Sequence, residues 1–166
     1  MTVRNPKLKF KKSMIWEPSV EEFVKQQISG YTLNVPCGDS LLGNERVDMD
    51  AERNPTKIAD MNEIPFANNT FDTVISDPPW HINFFHRPRQ FFELIRVCKV
   101  GGKIIFNATW VPTSKAVELK EVWIRQSTDF SNASMLSVFE KTTDVYDKQD
   151  STAKVKQNNS LDATLF

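Results

Sequence analysis

The chain contains little cysteine, with two residues in 166, Cys37 and Cys98. These residues lie far apart and follow no zinc-ligand spacing, so the sequence predicts neither a zinc site nor a structural disulfide, and we expect both thiols to be reduced. The two histidines, His81 and His86, have no carboxylate or cysteine that completes a ligand set. The sequence therefore predicts no metal site.

Long apolar runs and an excess of charge are also missing. No run approaches the roughly 18 to 20 apolar residues of a membrane-spanning helix, and the basic N-terminus is not followed by the apolar stretch of a signal peptide. We therefore expect a cytoplasmic protein without membrane contact. The 21 basic and 21 acidic residues give a formal net charge of zero, which argues against strong nonspecific nucleic-acid binding but leaves local patches open.

The length and composition predict one globular domain. With 166 residues and 40% hydrophobic content, the chain can bury one core and is too short for two. Residues 1–14 form a basic arm, which could contact phosphates or could be a frayed, solvated terminus. Residues 15–141 form the predicted domain, and the polar residues 142–166 show no helical or strand period and are expected to be disordered.

The periodicity of the central region predicts an open, mostly parallel α/β sheet. A Ser-x-x-Glu capping box at Ser19 predicts a helix to about Ile28, and apolar spacing predicts a second helix over 88–100, which Gly101 and Gly102 would end. Two strands around a polar turn at 128–132 are expected to pair antiparallel, and they span 118–126 and 133–140. Five short apolar runs are typical of buried parallel strands, and they span 31–36, 45–49, 56–59, 73–76 and 103–107.

Four consecutive predicted strands are followed by acids. Ligands of such sheets bind at the carboxyl ends of the strands, so these side chains are expected to share one site. A single acid after a strand is commonly a turn residue, but an acid after each of four successive strands indicates ligand binding. The acids are Asp39, Asp48, Asp60 and Asp77.

The fourth of these strand ends, Asp77-Pro78-Pro79-Trp80, is suited to a flat amine. The Asp77 carboxylate and the carbonyl before Pro79 can accept hydrogen bonds from an exocyclic NH2 group, because neither proline has a competing backbone N–H. Trp80 adds a ring face on which a base could stack. This element therefore indicates amine chemistry.

With these residues, the region from about 15 to 141 resembles the class I S-adenosylmethionine-dependent methyltransferases, and most closely the adenine-N6 methyltransferases with an Asp-Pro-Pro-Trp element. The resemblance implies a Rossmann-like fold and S-adenosylmethionine as cofactor. It assigns cofactor binding to strand-end residues and chemistry to the fourth strand end. The implied cofactor-binding residues are Pro36, Cys37, Gly38, Asp39, Asp48, Asp60, Met61 and Asp77, and the implied catalytic residues are Asp77, Pro78, Pro79 and Trp80.

The loop after Trp80 mixes aromatic and basic residues, which favours a role in holding the target nucleotide. In the alternative interpretation, Phe84 and Phe85 belong to the core while His86 and Arg87 cap a helix. The predicted substrate-binding residues are His81, Phe84, His86, Arg87 and Asn107, with Trp110 as a further pocket residue.

Departures from the family pattern keep other functions open. The cofactor loop lacks the usual further glycines, and the first two crossovers are too short for normal helices, so one sheet face is expected to need the N-terminal helix or a partner chain. No Gly-x-Gly-x-x-Gly follows the first strand, which argues against a nicotinamide dehydrogenase.

We expect methyl transfer to an exocyclic amine, most simply adenine N6 in DNA or RNA. One alternative is a guanine-N2, cytosine-N4 or protein-glutamine methyltransferase. Another is a non-catalytic cofactor-binding subunit that presents nucleic acid to a partner. The chain could act with such a partner subunit or as a homodimer.

Deleting residues 1–12 tests the basic arm. Because each lysine or arginine that contacts a phosphate releases counterions, the deletion should weaken nucleic-acid binding and flatten its salt dependence while leaving cofactor affinity unchanged. Binding measured over a salt series gives the slope. A slope equal to that of the full chain would assign the arm to a solvated terminus.

Overall fold

The structure is a computed structural model that describes Trp16 and residues 18–80, 84–126 and 133–144. The basic arm, His81, the predicted turn at 128–132 and all but the first three residues of the predicted polar tail lie outside these residues. Two short 3₁₀ turns, Ala51–Arg53 and Phe84–His86, join the regular elements. In chain order the elements are α1 (Pro18–Gln27), β1 (Thr32–Asn34), β2 (Glu45–Asp48), β3 (Lys57–Ile58), β4 (Phe71–Ser76), α2 (Arg87–Val97), β5 (Cys98–Ala108), β6 (Val117–Gln126) and β7 (Ala133–Lys141).

The strands form a seven-stranded sheet in the order β3-β2-β1-β4-β5-β7-β6. The strands β1 to β5 run parallel, whereas β7 lies antiparallel between β5 and β6. The chain moves outward from β1 to β3 and then returns to β4 on the other side of β1, so the order reverses between β1 and β4. The predicted Rossmann-like sheet with a C-terminal antiparallel pair is confirmed, and its switch point lies at β1 and β4.

The core lies on both faces of this sheet. Neighbouring strand residues point to opposite faces, so Ile104 and Phe106 pack on the α2 side while Ile105 packs on the α1 side with Val24. Phe91 of α2 contacts the rings of Phe106 and Phe139 at centroid distances of 5.6 and 5.2 Å. The two helices therefore pack on opposite faces of the middle of the sheet, where β4 and β5 lie.

The first two crossovers contain no α-helix, as the sequence predicted. The segment between β1 and β2 is a set of turns, and the one between β2 and β3 contains only the 3₁₀ turn Ala51–Arg53. Asp50 caps this turn, accepting a hydrogen bond from the Glu52 backbone N–H at 3.0 Å. Within the described residues, no helix is long and apolar enough to cross a membrane.

The predicted end of the second helix is wrong. The helix α2 ends at Val97, and Cys98 already belongs to β5, so Gly101 and Gly102 lie inside a strand. The register with β4 shifts there, from Phe71 opposite Cys98 to Thr73 opposite Lys103. Gly101 has a φ of +79°, and a Cβ on Gly102 would lie 2.8 Å from the Cys98 sulfur. The glycine pair thus permits an irregular bulge in β5 rather than a helix stop.

A buried ion pair ties α2 to the segment before β4. Arg96 contacts Glu93 at 2.8 Å and also donates to the backbone oxygens of Ile64 and Phe66 at 2.8 and 2.7 Å. Glu93 accepts a hydrogen bond from the Ile64 backbone N–H at 3.0 Å. Both charged side chains are largely buried, with 16% of Arg96 and 9% of Glu93 exposed. This cluster holds the segment against α2.

Replacing Arg96 with leucine should lower the free energy of unfolding by about 3 kcal/mol, because the buried Glu93 carboxylate loses its charge partner. Urea unfolding measures this change. The matched control is Arg89→Leu, which removes an ion pair to Glu63 whose side chains are 59% and 74% exposed. The control should cost less than about 1 kcal/mol, and equal losses for the two variants would contradict the structural role of Arg96.

Candidate active site at the carboxyl ends of the parallel strands

Asp77 directly follows β4, and two neighbouring side chains orient its carboxylate. The Oδ1 atom accepts a hydrogen bond from Asn107 Nδ2 at 3.1 Å and another from Trp80 Nε1 at 3.2 Å. Asn107 reaches this position because β5 pairs with β4 with Phe106 opposite Ser76. A carboxylate accepts hydrogen bonds along the directions of its lone pairs, so these two bonds fix the direction of the Asp77 carboxylate.

The residues after Asp77 support this arrangement. Pro78 is buried and Pro79 is half-buried, and neither has a backbone N–H that could compete for the Asp77 oxygens. The indole of Trp80 is partly buried against the core on the α2 side while its N–H binds Asp77. Trp80 is therefore a positioning residue for Asp77 in addition to its predicted role as a stacking surface.

A third contact fixes the end of β4 from the α2 side. Gln90 is fully buried, and its Nε2 donates to the Ser76 hydroxyl at 3.2 Å. Sequence reasoning missed this residue. The available signal was its position four residues before Leu94 and seven before Val97, which places a polar side chain on the inward face of the helix.

The loop after β1 is held by Asp48 at the end of β2. Gly38 has a φ of +52°, and its backbone N–H donates to Asp48 Oδ2 at 2.9 Å. The other carboxylate oxygen of Asp48 accepts the backbone N–H of Asp50 at 3.0 Å. The carboxylate of Asp50 instead caps the following 3₁₀ turn and contacts Arg53. Asp48, the acid predicted from the sequence at this strand end, is thus the one that faces the β1 loop, whereas Asp50 is not.

The carboxylate of Asp39 is bound by Arg53, a residue that sequence reasoning missed. Arg53 Nη1 lies 2.8 and 2.9 Å from the two Asp39 oxygens, and Arg53 Nε lies 3.2 Å from Asp50. This contact joins the β1 loop to the β2 loop. No spacing rule pairs the two residues, since they meet only because β1 and β2 are neighbours in the sheet.

The remaining predicted cofactor residues form the rim of the same edge. Asp60 accepts hydrogen bonds from the backbone and side-chain nitrogens of Asn62, both at 2.8 Å, and Met61 packs partly buried against the core.

Cys37, in the β1 loop, is buried, and its backbone N–H donates to the Val47 carbonyl. Burial raises the pKa of its thiol to about 11. The thiol is therefore neutral near pH 7, while the adjacent Pro36 is half-buried.

The loop after Trp80 is only partly described, because His81 and the next two residues lie outside the described ranges. Phe84 and Phe85 are 70% and 83% exposed, so they are not core residues as the alternative interpretation required. His86 lies at the N-cap position of α2 without a side-chain capping hydrogen bond. Arg87 instead stacks on Trp110, with the guanidinium carbon 3.9 Å from the ring centroid.

Comparisons with known proteins agree with this architecture. Residues 41–106 match the family model described as a methyltransferase domain. Over 68 residues, the chain is 37% identical to the ubiquinone/menaquinone biosynthesis C-methyltransferase UbiE of Ralstonia pickettii. That match covers 39% of this chain and 28% of the relative, so the chain spans well under half of the relative's length.

Solved structures with low sequence identity share the fold. A SAM-dependent methyltransferase from Methanosarcina mazei superposes with a TM-score of 0.57 at 10% identity, covering 74% of this chain and 98% of that one. The N-methyltransferase NodS from Bradyrhizobium japonicum gives a TM-score of 0.57 at 11% identity, covering 75% and 92%. The expectation of S-adenosylmethionine as cofactor agrees with the methyltransferase-domain match and with this fold. The chain therefore has the fold of the class I S-adenosylmethionine-dependent methyltransferases, and its residues 41–106 carry the sequence signature of a methyltransferase domain.

Proposed function

We propose that this protein transfers a methyl group from S-adenosylmethionine to an exocyclic amine, with adenine N6 in DNA or RNA as the substrate. The observation that carries the proposal is the Asp77 carboxylate, which Asn107 and Trp80 orient at the end of β4. This strand end lies at the switch point of the sheet, next to the β1 loop. An oriented carboxylate followed by two prolines is suited to hold an NH2 group.

The residues around the β1 loop fit the cofactor. Asp48 and Asp60 follow neighbouring strands and offer carboxylate oxygens, which suit the ribose hydroxyls and the adenine amino group respectively. The glycine at position 38 lets the backbone approach a ligand closely, and the partly buried Met61 adds apolar surface. The Asp39–Arg53 pair lies in the same loop and braces it against β2.

The chain's own groups then orient the acceptor. When bound, S-adenosylmethionine supplies an electrophilic methyl group. Asp77 accepts one N–H of the amine and the Pro78 carbonyl accepts the other, so the nitrogen lone pair points toward the cofactor site. Positioning of this kind contributes on the order of 7 to 11 kcal/mol. The Asp77 carboxylate would stabilise the positive charge that the nitrogen gains as the methyl group leaves sulfur for nitrogen, and it would accept the proton that the nitrogen then loses.

An aromatic carbon acceptor is a second candidate, because the matched relative is a C-methyltransferase. The match to the methyltransferase-domain model, residues 41–106, contains Asp77 to Trp80 but leaves out the β1 loop and Asn107. The match therefore does not distinguish a nitrogen acceptor from a carbon acceptor. A carbon acceptor would leave the paired Asp77 and Pro78 acceptors without N–H groups, and this mismatch favours an amine.

A non-catalytic cofactor-binding subunit is a third candidate. The observation that favours it is the cofactor loop itself, where an acid and its ion pair to Arg53 occupy the place of the usual small residues. The intact Asp77 network argues against it, because a scaffold has no need for an oriented acceptor. The guanine-N2, cytosine-N4 and protein-glutamine alternatives share amine chemistry, so only a substrate panel separates them.

The experiment that tests the proposal is incubation with labelled S-adenosylmethionine and a panel of DNA, RNA, protein and aromatic ring compounds. Mass spectrometry of the product identifies the modified atom. Methylation at a nitrogen supports the proposal, and methylation at a ring carbon supports the second candidate. Cofactor binding without transfer to any acceptor supports the scaffold.

Replacing Asp48 with alanine should weaken binding of S-adenosylmethionine and of its demethylated product roughly 10- to 100-fold, the cost of losing hydrogen bonds to a charged group. Calorimetry measures both affinities. The matched control is Asp50→Ala, since Asp50 caps a 3₁₀ turn and should leave affinity nearly unchanged. Equal losses in the two variants would assign the effect to loop structure rather than to cofactor contact.

Replacing Asp77 with alanine should reduce turnover roughly 100- to 1,000-fold, the usual effect of removing one preorganised electrostatic contact. Cofactor affinity should be retained, because the carboxylate orients the acceptor rather than the cofactor. Turnover by mass spectrometry, cofactor affinity and a melting curve are measured together on each variant.

Trp80→Phe serves as the graded control for this prediction. It keeps a stacking ring but removes the indole N–H that donates to Asp77, so its turnover should lie between those of the wild type and Asp77→Ala. Unchanged turnover in Asp77→Ala would refute the catalytic assignment. Unfolding of both variants would mark the element as structural.

A further inference from the structure

A cavity of about 270 Å³ lies between the start of α2 and the segment that follows β5. Rings and aliphatic groups form most of its lining, including Phe84, Phe91, Trp110 and Pro112, and Arg87 is its charged member. None of the described residues that line it is acidic. We propose that this cavity binds a flat aromatic ring of the substrate whose anionic substituent contacts Arg87.

The Arg87 and Trp110 side chains give the cavity a preformed wall. The guanidinium carbon of Arg87 lies 3.9 Å from the Trp110 ring centroid and 5.9 Å from that of Phe84. Trp110 in turn packs edge-on against the buried Phe106 at 5.8 Å. Because Phe106 belongs to the core, the stacked pair is supported from below and should keep its orientation without a ligand.

The position of Arg87 over the Trp110 ring suits an anion. A guanidinium is planar and always charged, and its N–H donors match the geometry of carboxylate or phosphate oxygens. The surrounding rings lower the local polarity, which strengthens a charge-assisted contact relative to water. Phe84, which is 70% exposed at the cavity mouth, offers a further face for a ring.

The size of the cavity restricts what enters it. Its volume falls just below the roughly 300 to 1,000 Å³ of most small-molecule pockets, so one ring system with a small substituent fits better than a long ligand. A nucleotide supplies this chemistry as a base with its phosphate, and an aromatic acid supplies it as a ring with its carboxylate.

The position of the cavity connects it to Asp77. Trp110 follows β5 three residues after Asn107, which binds Asp77, and α2 carries both Arg87 and the Gln90 that binds Ser76. The cavity thus lies beside the carboxyl ends of β4 and β5. The inference rests on the proposed function, because it assigns the cavity to the ring or nucleotide that flanks the methylated amine.

The test is calorimetry with adenosine 5′-monophosphate, adenosine, a short oligo(dA) and benzoate as probes. The full chain is used with S-adenosylhomocysteine at saturation, so that probes do not occupy the cofactor site. Each titration is repeated on Asp48→Ala, whose cofactor site is weakened, and on Arg87→Gln and Trp110→Leu. Arg89→Gln is the matched control, because Arg89 pairs with Glu63 and is absent from the cavity lining. A melting curve accompanies each variant.

We expect adenosine 5′-monophosphate to bind roughly tenfold or more tightly than adenosine, the effect of one added charge-assisted contact. Arg87→Gln should remove this difference, while Asp48→Ala and Arg89→Gln keep it. Trp110→Leu should weaken all ring-containing probes roughly 5- to 100-fold. Oligo(dA) binding that depends on Arg87 identifies a nucleotide as the source of the anion.

Two results would overturn the inference: measurable but equal affinities for adenosine and its monophosphate, or wild-type affinities for the anionic probes in folded Arg87→Gln. Absence of binding by every anionic probe would overturn it as well. If benzoate binds through Arg87 and the nucleotides do not, the cavity assignment stands while nucleic acid fails as the substrate of the proposed function. Loss of turnover in Asp77→Ala reports on the proposed function separately.

Discussion

The parallel pairing of β4 with β1 on one side and β5 on the other is the constraint on which the rest of the structure depends. It brings the ends of all three strands to one edge of the sheet, with Ser76 opposite Phe106. Asn107 can therefore reach Asp77 from the neighbouring strand, and the β1 loop lies on the other side. Both helices pack on this part of the sheet, so the oriented carboxylate follows a strand that is packed on both faces.

The crossovers between β1, β2 and β3 are short and contain no α-helix. Where a longer domain would place helices between β1, β2 and β3, this chain uses turns and one 3₁₀ turn. Ion pairs replace part of the missing packing: Arg53 joins the first two loops, and Arg96 holds the segment before β4 to α2. These contacts are directional, which suits short loops that must hold one conformation without a helix to support them.

The carboxylates at the sheet edge differ in how they are held, and this difference separates their roles. Asp48 accepts only backbone N–H groups in the contacts described, and Asp60 binds the neighbouring Asn62, so both shape loops. Asp77 is held by Asn107 of the neighbouring strand β5 and by Trp80 of its own loop. The contact from a neighbouring strand sets the direction of the Asp77 carboxylate relative to the sheet, which suits it to aim a reacting group.

The sequence by itself determined the parallel strands, the antiparallel pair, the short crossovers and the acids at the strand ends. Hydrophobic period, segment length and turn residues are properties of the local sequence. The sequence-based prediction that Gly101 and Gly102 end the second helix was wrong. A glycine pair after a helical pattern predicts a helix end equally well when it lies in a bulge within the following strand. Only the tertiary structure decided the contacts of Arg53 with Asp39, Gln90 with Ser76 and Arg87 with Trp110. The sequence carries no local signal for these pairs, because their partners are brought together by strand order and by the docking of α2 on the sheet.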